Sequence, residues 1–148
     1  MRAVIQRVST ASVTINGEMK SAIGMGFMIL LGIATEDTKA DAEWLCGKIA
    51  RLRVFADEAG LMNKDINDVG GEILVVSQFT LLAAYKKGNR PSYIGAARPE
   101  QAIPLYEYFN SVLSELTGKQ GATGTFGADM KVALVNDGPV TIVMDSKE

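Results

Sequence analysis

The ten residues Met25 to Ala34, Met-Gly-Phe-Met-Ile-Leu-Leu-Gly-Ile-Ala, contain no polar side chain. The run is far short of a membrane span. Its unbroken apolar character suits a strand buried on both faces, not one that alternates between core and water. A second strand of this kind is expected over Glu72 to Leu82, with Ile73-Leu74-Val75-Val76 at its centre.

The rest of the chain is read around these two strands. Mixed alternation from Val4 to Ser9, continued from Ala11 to Ile15, predicts an N-terminal strand. Asn16-Gly17 tolerates positive φ at both positions, so a hairpin turn and a strand over Glu18 to Ile23 follow. Thr38, with Asp41 three positions later, makes a loose capping box for a first helix. Ala42, Leu45, Cys46, Ile49, Leu52 and Arg53 recur at helical spacing, and the pattern ends near Phe55. Asp57 to Gly71 reads as a loop with at most a short edge strand. Pro99 suits the first turn of a second helix, and Gly118 lies just past its end. Lys119 to Gly127 reads as a glycine-rich loop. Met130 to Val135 and Val140 to Met144 read as two final strands separated by Asn136-Asp137-Gly138-Pro139. This order predicts one α/β domain over residues 1–148: a mixed β core in three layers, β/β/α, covered by two main helices. Uncapped strand edges in so small a chain favour a homodimer.

Composition removes several chemistries. The chain has no histidine, which excludes Ser-His-Asp and Cys-His centres and the commonest zinc ligand. Its single cysteine, Cys46, reads as a buried helix residue and points to a reducing cytoplasm. Charge at Arg2 comes too early for a signal peptide. Neither a metal nor another cofactor is expected, nor a membrane partner. A net charge of −2 argues against a broad nucleic-acid grip, DNA included, so any RNA contact should be local.

Two segments stand out. In Ser77-Gln78-Phe79-Thr80, polar groups interrupt the end of an apolar strand. Either the strand emerges at the surface there, or hydroxyls and N–H groups line a pocket and stabilise an oxyanion. Asn136-Asp137-Gly138-Pro139 has the composition of a β-turn. Alternatively, it is a rigid backbone device that recognises a ligand without side chains. Lys86, Lys87 and Arg90 place three cations in five residues beyond Thr80, as solvated surface or as phosphate contacts. Arg7 is either a core-edge residue with a wet head or a tether for the turn holding Pro139. Met130 reads more readily as core than as site. No pair of carboxylates has the spacing of an acid/base dyad.

Taken together these residues resemble the D-aminoacyl-tRNA deacylase family. The resemblance runs through Arg2-Ala3-Val4-Ile5-Gln6-Arg7-Val8, Leu30-Leu31-Gly32, Arg53-Val54-Phe55, Ser77-Gln78-Phe79-Thr80-Leu81, Gly88-Asn89-Arg90-Pro91-Ser92 and Asn136-Asp137-Gly138-Pro139-Val140-Thr141. It implies a homodimer with sites at the subunit interface, each taking the aminoacylated 3′ end of tRNA. It implies a cis Gly138-Pro139 bond, and a chiral filter in which these two residues of one subunit exclude an L side chain from the other's site. Glycyl-tRNA is then accepted too. It implies Phe79 as the backbone oxyanion donor, Thr80 beside the ester, and Ser77, Gln78 and Met130 around the substrate. Without a histidine, water attack assisted by the neighbouring ribose hydroxyl is preferred over Thr80 as nucleophile. Leu82-Ala83-Ala84-Tyr85 stands where the family is commonly more polar.

Overall fold

A computed structural model describes residues 1–148. The chain opens with β1, Arg2–Ile15, which turns at Asn16 (φ 52°) and Gly17 (φ 79°) into β2, Glu18–Ile23. β3, Gly26–Gly32, follows at once. Pairing with β1 keeps one register from Arg2–Gly32 through Val8–Gly26 to Ala11–Ile23. β2 and β3 are therefore two halves of one strand, bent at Gly24-Met25.

After α1, Lys39–Ala50, a small hairpin forms from β4, Phe55–Ala56, and β5, Met62–Lys64. β6, Glu72–Ser77, lies parallel to β3. A 3-10 turn, Phe79–Leu82, leads towards α2, Pro99–Thr117, which closes on Gly118 in the left-handed conformation (φ 69°). β7, Ala122–Thr123, adds to β6, and β8, Lys131–Asp145, runs antiparallel along the other edge of β1. The sheet curls until its ends meet: Ser21 Oγ of β2 donates to the Thr123 carbonyl of β7 at 2.5 Å.

Curling gives the sheet an inside and an outside, and the apolar runs fill both. Phe27, Ile29, Leu31, Ile73 and Val75 face outwards against Leu45, Ile49, Leu105 and Phe109 of the helices. Met28, Leu74 and Val76 face inwards, with Val8, Val13 and Ile23. The result is a single α/β domain, as expected: a mixed sheet curled nearly into a barrel and covered by two helices. Neither helix is long and apolar enough to cross a membrane.

Four expectations need correction. The first helix stops at Ala50, so Leu52 and Arg53 belong to the link into β4. The strand expected to reach Leu82 stops at Ser77, where a 3-10 turn takes over. Lys119 to Gly127 contains β7. The two final strands are one, and Asn136-Asp137-Gly138-Pro139 is not a turn between them. β1 pairs with both halves, and the motif bulges from the ladder between the Gln6–Thr141 and Val8–Asn136 pairs, with Ser9 left unpaired just beyond. There Arg7 alone faces the four residues Asp137 to Val140. A local composition of Asn, Asp, Gly and Pro serves a bulge as well as a turn; the long uninterrupted edge of β1 decides between them.

Candidate active site

A cavity of about 270 Å³ opens where β3 and β6 end. Its floor is Leu31, Ile33 and Val76, one wall is Ser77, Gln78 and Phe79, and another is Phe126 to Met130. Two glycines permit this packing. A Cβ on Gly32 would lie 2.6 Å from Leu82 Cδ2 and 3.0 Å from the Gln78 carbonyl, so only glycine lets the 3-10 turn rest on β3. A Cβ on Gly124 would lie 2.5 Å from Met130 Sδ, so glycine there makes room for the Met130 side chain.

The polar wall is held by its backbone. Gln78 N–H donates to the Leu31 carbonyl at 2.8 Å, extending the parallel ladder by one residue. The chain then turns, and Leu81 N–H closes onto the Gln78 carbonyl at 3.2 Å. The N–H groups of Phe79 and Thr80 precede that first bond and have no acceptor within the turn. Arg2 anchors the far end, donating from Nη1 to the Leu81 carbonyl at 2.9 Å and from Nε to Asp145 Oδ2 at 2.8 Å. Gln78 Nε2 donates to Thr80 Oγ1. The Phe79 ring is 55% exposed and meets Tyr93 edge-on, with centroids 5.0 Å apart.

The only acid on the cavity is Asp129, exposed and paired with exposed Lys131 at 3.2 Å. No lysine, arginine or thiol lines it. Cys46 is fully buried elsewhere, donating to the Phe109 carbonyl at 3.3 Å, and burial pushes its thiol up to about 12. No three of Asp, Glu and Cys are grouped to ligate a metal. The cavity can bind an apolar or small group, and its lining has little side-chain acid/base capacity.

The bulge forms a second, separate unit. Its Gly138-Pro139 bond is cis. Arg7 Nε donates to the Asp137 carbonyl at 2.8 Å and Nη1 to the Val54 carbonyl, fixing the bulge to the segment before β4. Asn136 closes its base: Oδ1 accepts from Val140 N–H at 2.8 Å, and Nδ2 donates to Thr141 Oγ1 at 2.9 Å and Gln6 Oε1 at 3.2 Å. Gly138 and Pro139 are exposed and do not line the cavity of their own chain. Thr80 is exposed and absent from the cavity wall as well. Of the expected residues, the fold thus collects Ser77, Gln78, Phe79 and Met130, and holds Gly138 and Pro139 apart. Lys86, Lys87 and Arg90 lie on an exposed loop outside it. Sequence reasoning named Arg2, Gln6 and Asn136 only as members of their segments and gave their side chains no role, yet their amide and guanidinium groups brace both units. Their signal was polar side chains within or beside buried strands, each needing a partner.

The fold and cavity define a class: a small α/β protein whose cavity opens where two parallel strands end. Comparison with known proteins narrows this. The family model for D-Tyr-tRNA(Tyr) deacylase matches residues 4–145, and the chain belongs to that family. A D-aminoacyl-tRNA deacylase of Bacteroides thetaiotaomicron is 64% identical over 147 residues, covering 99% of this chain and 98% of the relative. One of Phocaeicola vulgatus is 67% identical with the same coverage. A solved structure titled c-Myc DNA Unwinding Element Binding Protein superposes with a TM-score of 0.91 at 47% identity over 98% of each chain. Another, titled as a probable eukaryotic D-amino acid tRNA deacylase, shares the fold with a TM-score of 0.83 at 15% identity, over 97% of each chain.

Proposed function

We propose that this chain hydrolyses the ester joining a D-amino acid to the 3′-terminal adenosine of tRNA, releasing both. The observation that carries the reading is the cavity of Ser77, Gln78, Phe79 and Met130, with unpaired N–H groups at the start of the 3-10 turn, in a chain that matches the deacylase family over almost its whole length. In this reading Phe79 N–H donates to the scissile carbonyl as its oxygen gains charge. Water adds to the carbonyl carbon, the ester C–O bond breaks, and the leaving ribose oxygen takes a proton by way of the neighbouring ribose hydroxyl. An ester of this kind is already activated, so positioning supplies most of what a side-chain base would otherwise provide. Thr80 lies beside the ester, and Ser77, Gln78 and Met130 surround the substrate.

The working unit is a homodimer, in which the bulge of one copy reaches the cavity of the other. Support comes from the exposed Gly138 and Pro139, from the outer edge of β8, which pairs with no strand, and from exposed Val135 and Val143 along it. The bulge carbonyls meet the amino group, and an L side chain has no room beside them. Glycine, lacking a side chain, passes. The proposal puts the work where translation runs, in the cytoplasm.

The test is deacylation. D-tyrosyl-tRNA should decay far faster with the protein than without it, glycyl-tRNA should also decay, and L-tyrosyl-tRNA should survive. D-tyrosyl-tRNA that decays at the uncatalysed rate overturns the activity. Light scattering of the purified chain at the mass of a monomer overturns the shared site.

A further inference from the structure

Between Glu72 and Glu100 the chain has no acidic residue. Lys86, Lys87, Arg90 and Arg98 fall in this interval, within a protein of net charge −2, so the remainder of the chain is distinctly acidic. Such segregation needs a reason, because scattered surface charge of mixed sign would serve solubility better.

The fold presents the interval as a finger. Ala84 and Ser92 exchange backbone hydrogen bonds at 2.7 and 2.8 Å and close a loop whose residues are all exposed. Its base is fixed by Thr35 N–H to the Gly95 carbonyl and Ala97 N–H to the Ile33 carbonyl. None of the four cations makes an ion pair or a side-chain hydrogen bond, although the protein forms five ion pairs elsewhere. The same segment exposes aromatic rings: Tyr85 at 72%, and Tyr93 edge-on to Phe79 at the cavity rim. Free cations interleaved with exposed rings match single-stranded nucleic acid, whose phosphates need charge and whose unstacked bases need a flat apolar face.

We infer that the finger Ala84–Ser92, with Tyr93, binds the unpaired nucleotides preceding the esterified adenosine, Tyr85 stacking on a base and Lys86, Lys87 and Arg90 meeting phosphates. This rests on the deacylase reading above and adds residues that touch RNA rather than ester. The local charge also reconciles an acidic protein with an RNA substrate: contact is confined to one strip that begins at the cavity.

The experiment compares two substrates that share the ester and differ in RNA: D-tyrosyl-tRNA and D-tyrosyl-adenosine. In the triple variant Lys86→Ser, Lys87→Ser, Arg90→Ser, KM for the tRNA should rise about tenfold or more with kcat little changed, and the loss should be confined to the tRNA. The slope of log KM against log salt should shrink by about 2, as three lost single-strand phosphate contacts require. Tyr85→Ala should weaken tRNA binding at least about fivefold, and Tyr85→Phe should restore it, since stacking needs the ring and not the hydroxyl. Equal losses on both substrates, or an unchanged KM for tRNA, overturn the inference. Should the wild-type protein cleave neither substrate, the deacylase reading fails by itself. Fluorescence anisotropy with an uncharged single-stranded RNA ending in CCA then still decides the finger: weaker binding by the triple variant supports it, and equal binding, or tighter binding of the matching DNA strand, overturns it.

Discussion

At Thr80 the hydroxyl accepts a hydrogen bond from Gln78 Nε2, and that is its one side-chain partner. A nucleophile needs a base within reach; the chain has no histidine, and Thr80 Oγ1 makes no hydrogen bond to a lysine or a carboxylate. Thr80→Ala should therefore retain D-aminoacyl-tRNA hydrolysis within about tenfold, whereas loss of a general acid or base costs roughly 10²–10⁴. Single-turnover deacylation measures the difference, and a loss of a thousandfold with substrate binding intact returns Thr80 to the chemistry. Cys46 makes the converse case. Its thiol is buried and held near 12, so the thiolate is essentially absent at neutral pH. An aromatic disulfide reagent should leave Cys46 untouched in the native protein and label it fully in urea. The burial of Cys46 was legible in the sequence, from its helical spacing with Ala42, Leu45 and Ile49.

Single elements carry the geometry that no residue reports alone. The bent strand β2–β3 and its neighbour β6 come close together at Gly26. A Cβ there would lie 1.8 Å from the Glu72 carbonyl oxygen, against backbone that has no room to give. Gly26→Ala should cost about 3 kcal/mol, read as a lower urea midpoint at unchanged slope. Position 26 is already part of the apolar run, so its strand was plain from sequence; its contact with residue 72 was not, because no local pattern encodes a parallel pairing 46 residues away. The same limit explains the bulge. Asn136, Asp137, Gly138 and Pro139 look alike in a hairpin turn and in an interrupted strand, and only the continued pairing of β1 with both sides distinguishes them. The two-residue β7 escaped for a simpler reason: Ala122-Thr123 is too short to show a period. The polar strand end at Ser77 was legible as an anomaly, and the glycine at position 32 that lets the turn fold over β3 was not.

Across the whole molecule, the first and last residues are tied to α1 and its approach by one set of polar contacts. The Met1 ammonium donates to Asp37 Oδ1 at 2.8 Å and to Ser146 Oγ at 2.9 Å, and Asp37 Oδ2 accepts from Ala34 N–H at 2.7 Å. Ser146 Oγ donates to Asp41 Oδ1 at 2.6 Å, and Lys147 Nζ lies 3.2 Å from the same oxygen. Asp145 joins through Arg2. Burial alone would raise the Asp41 carboxyl, but bonds from Ser146, Thr38 N–H and Lys147 outweigh it and hold the group well below the usual aspartate range. Asp145 behaves alike: burial raises it, while Lys147 N–H and Arg2 lower it further. For both groups the folded value lies under the unfolded value of about 3.9. Their stabilisation is therefore complete above that pH and is lost as pH falls through the folded values, since the unfolded chain binds protons first. No histidine titrates between pH 5 and 8 to complicate the curve. Thermal midpoints should stay nearly level from pH 8 to 5 and fall steeply below about 4. Asp41→Asn should lower the plateau and flatten the acid limb, because the variant has no proton to take up at that position. An acid limb as steep in Asp41→Asn as in the parent would assign the loss to other carboxylates and leave Asp41 without a part in it.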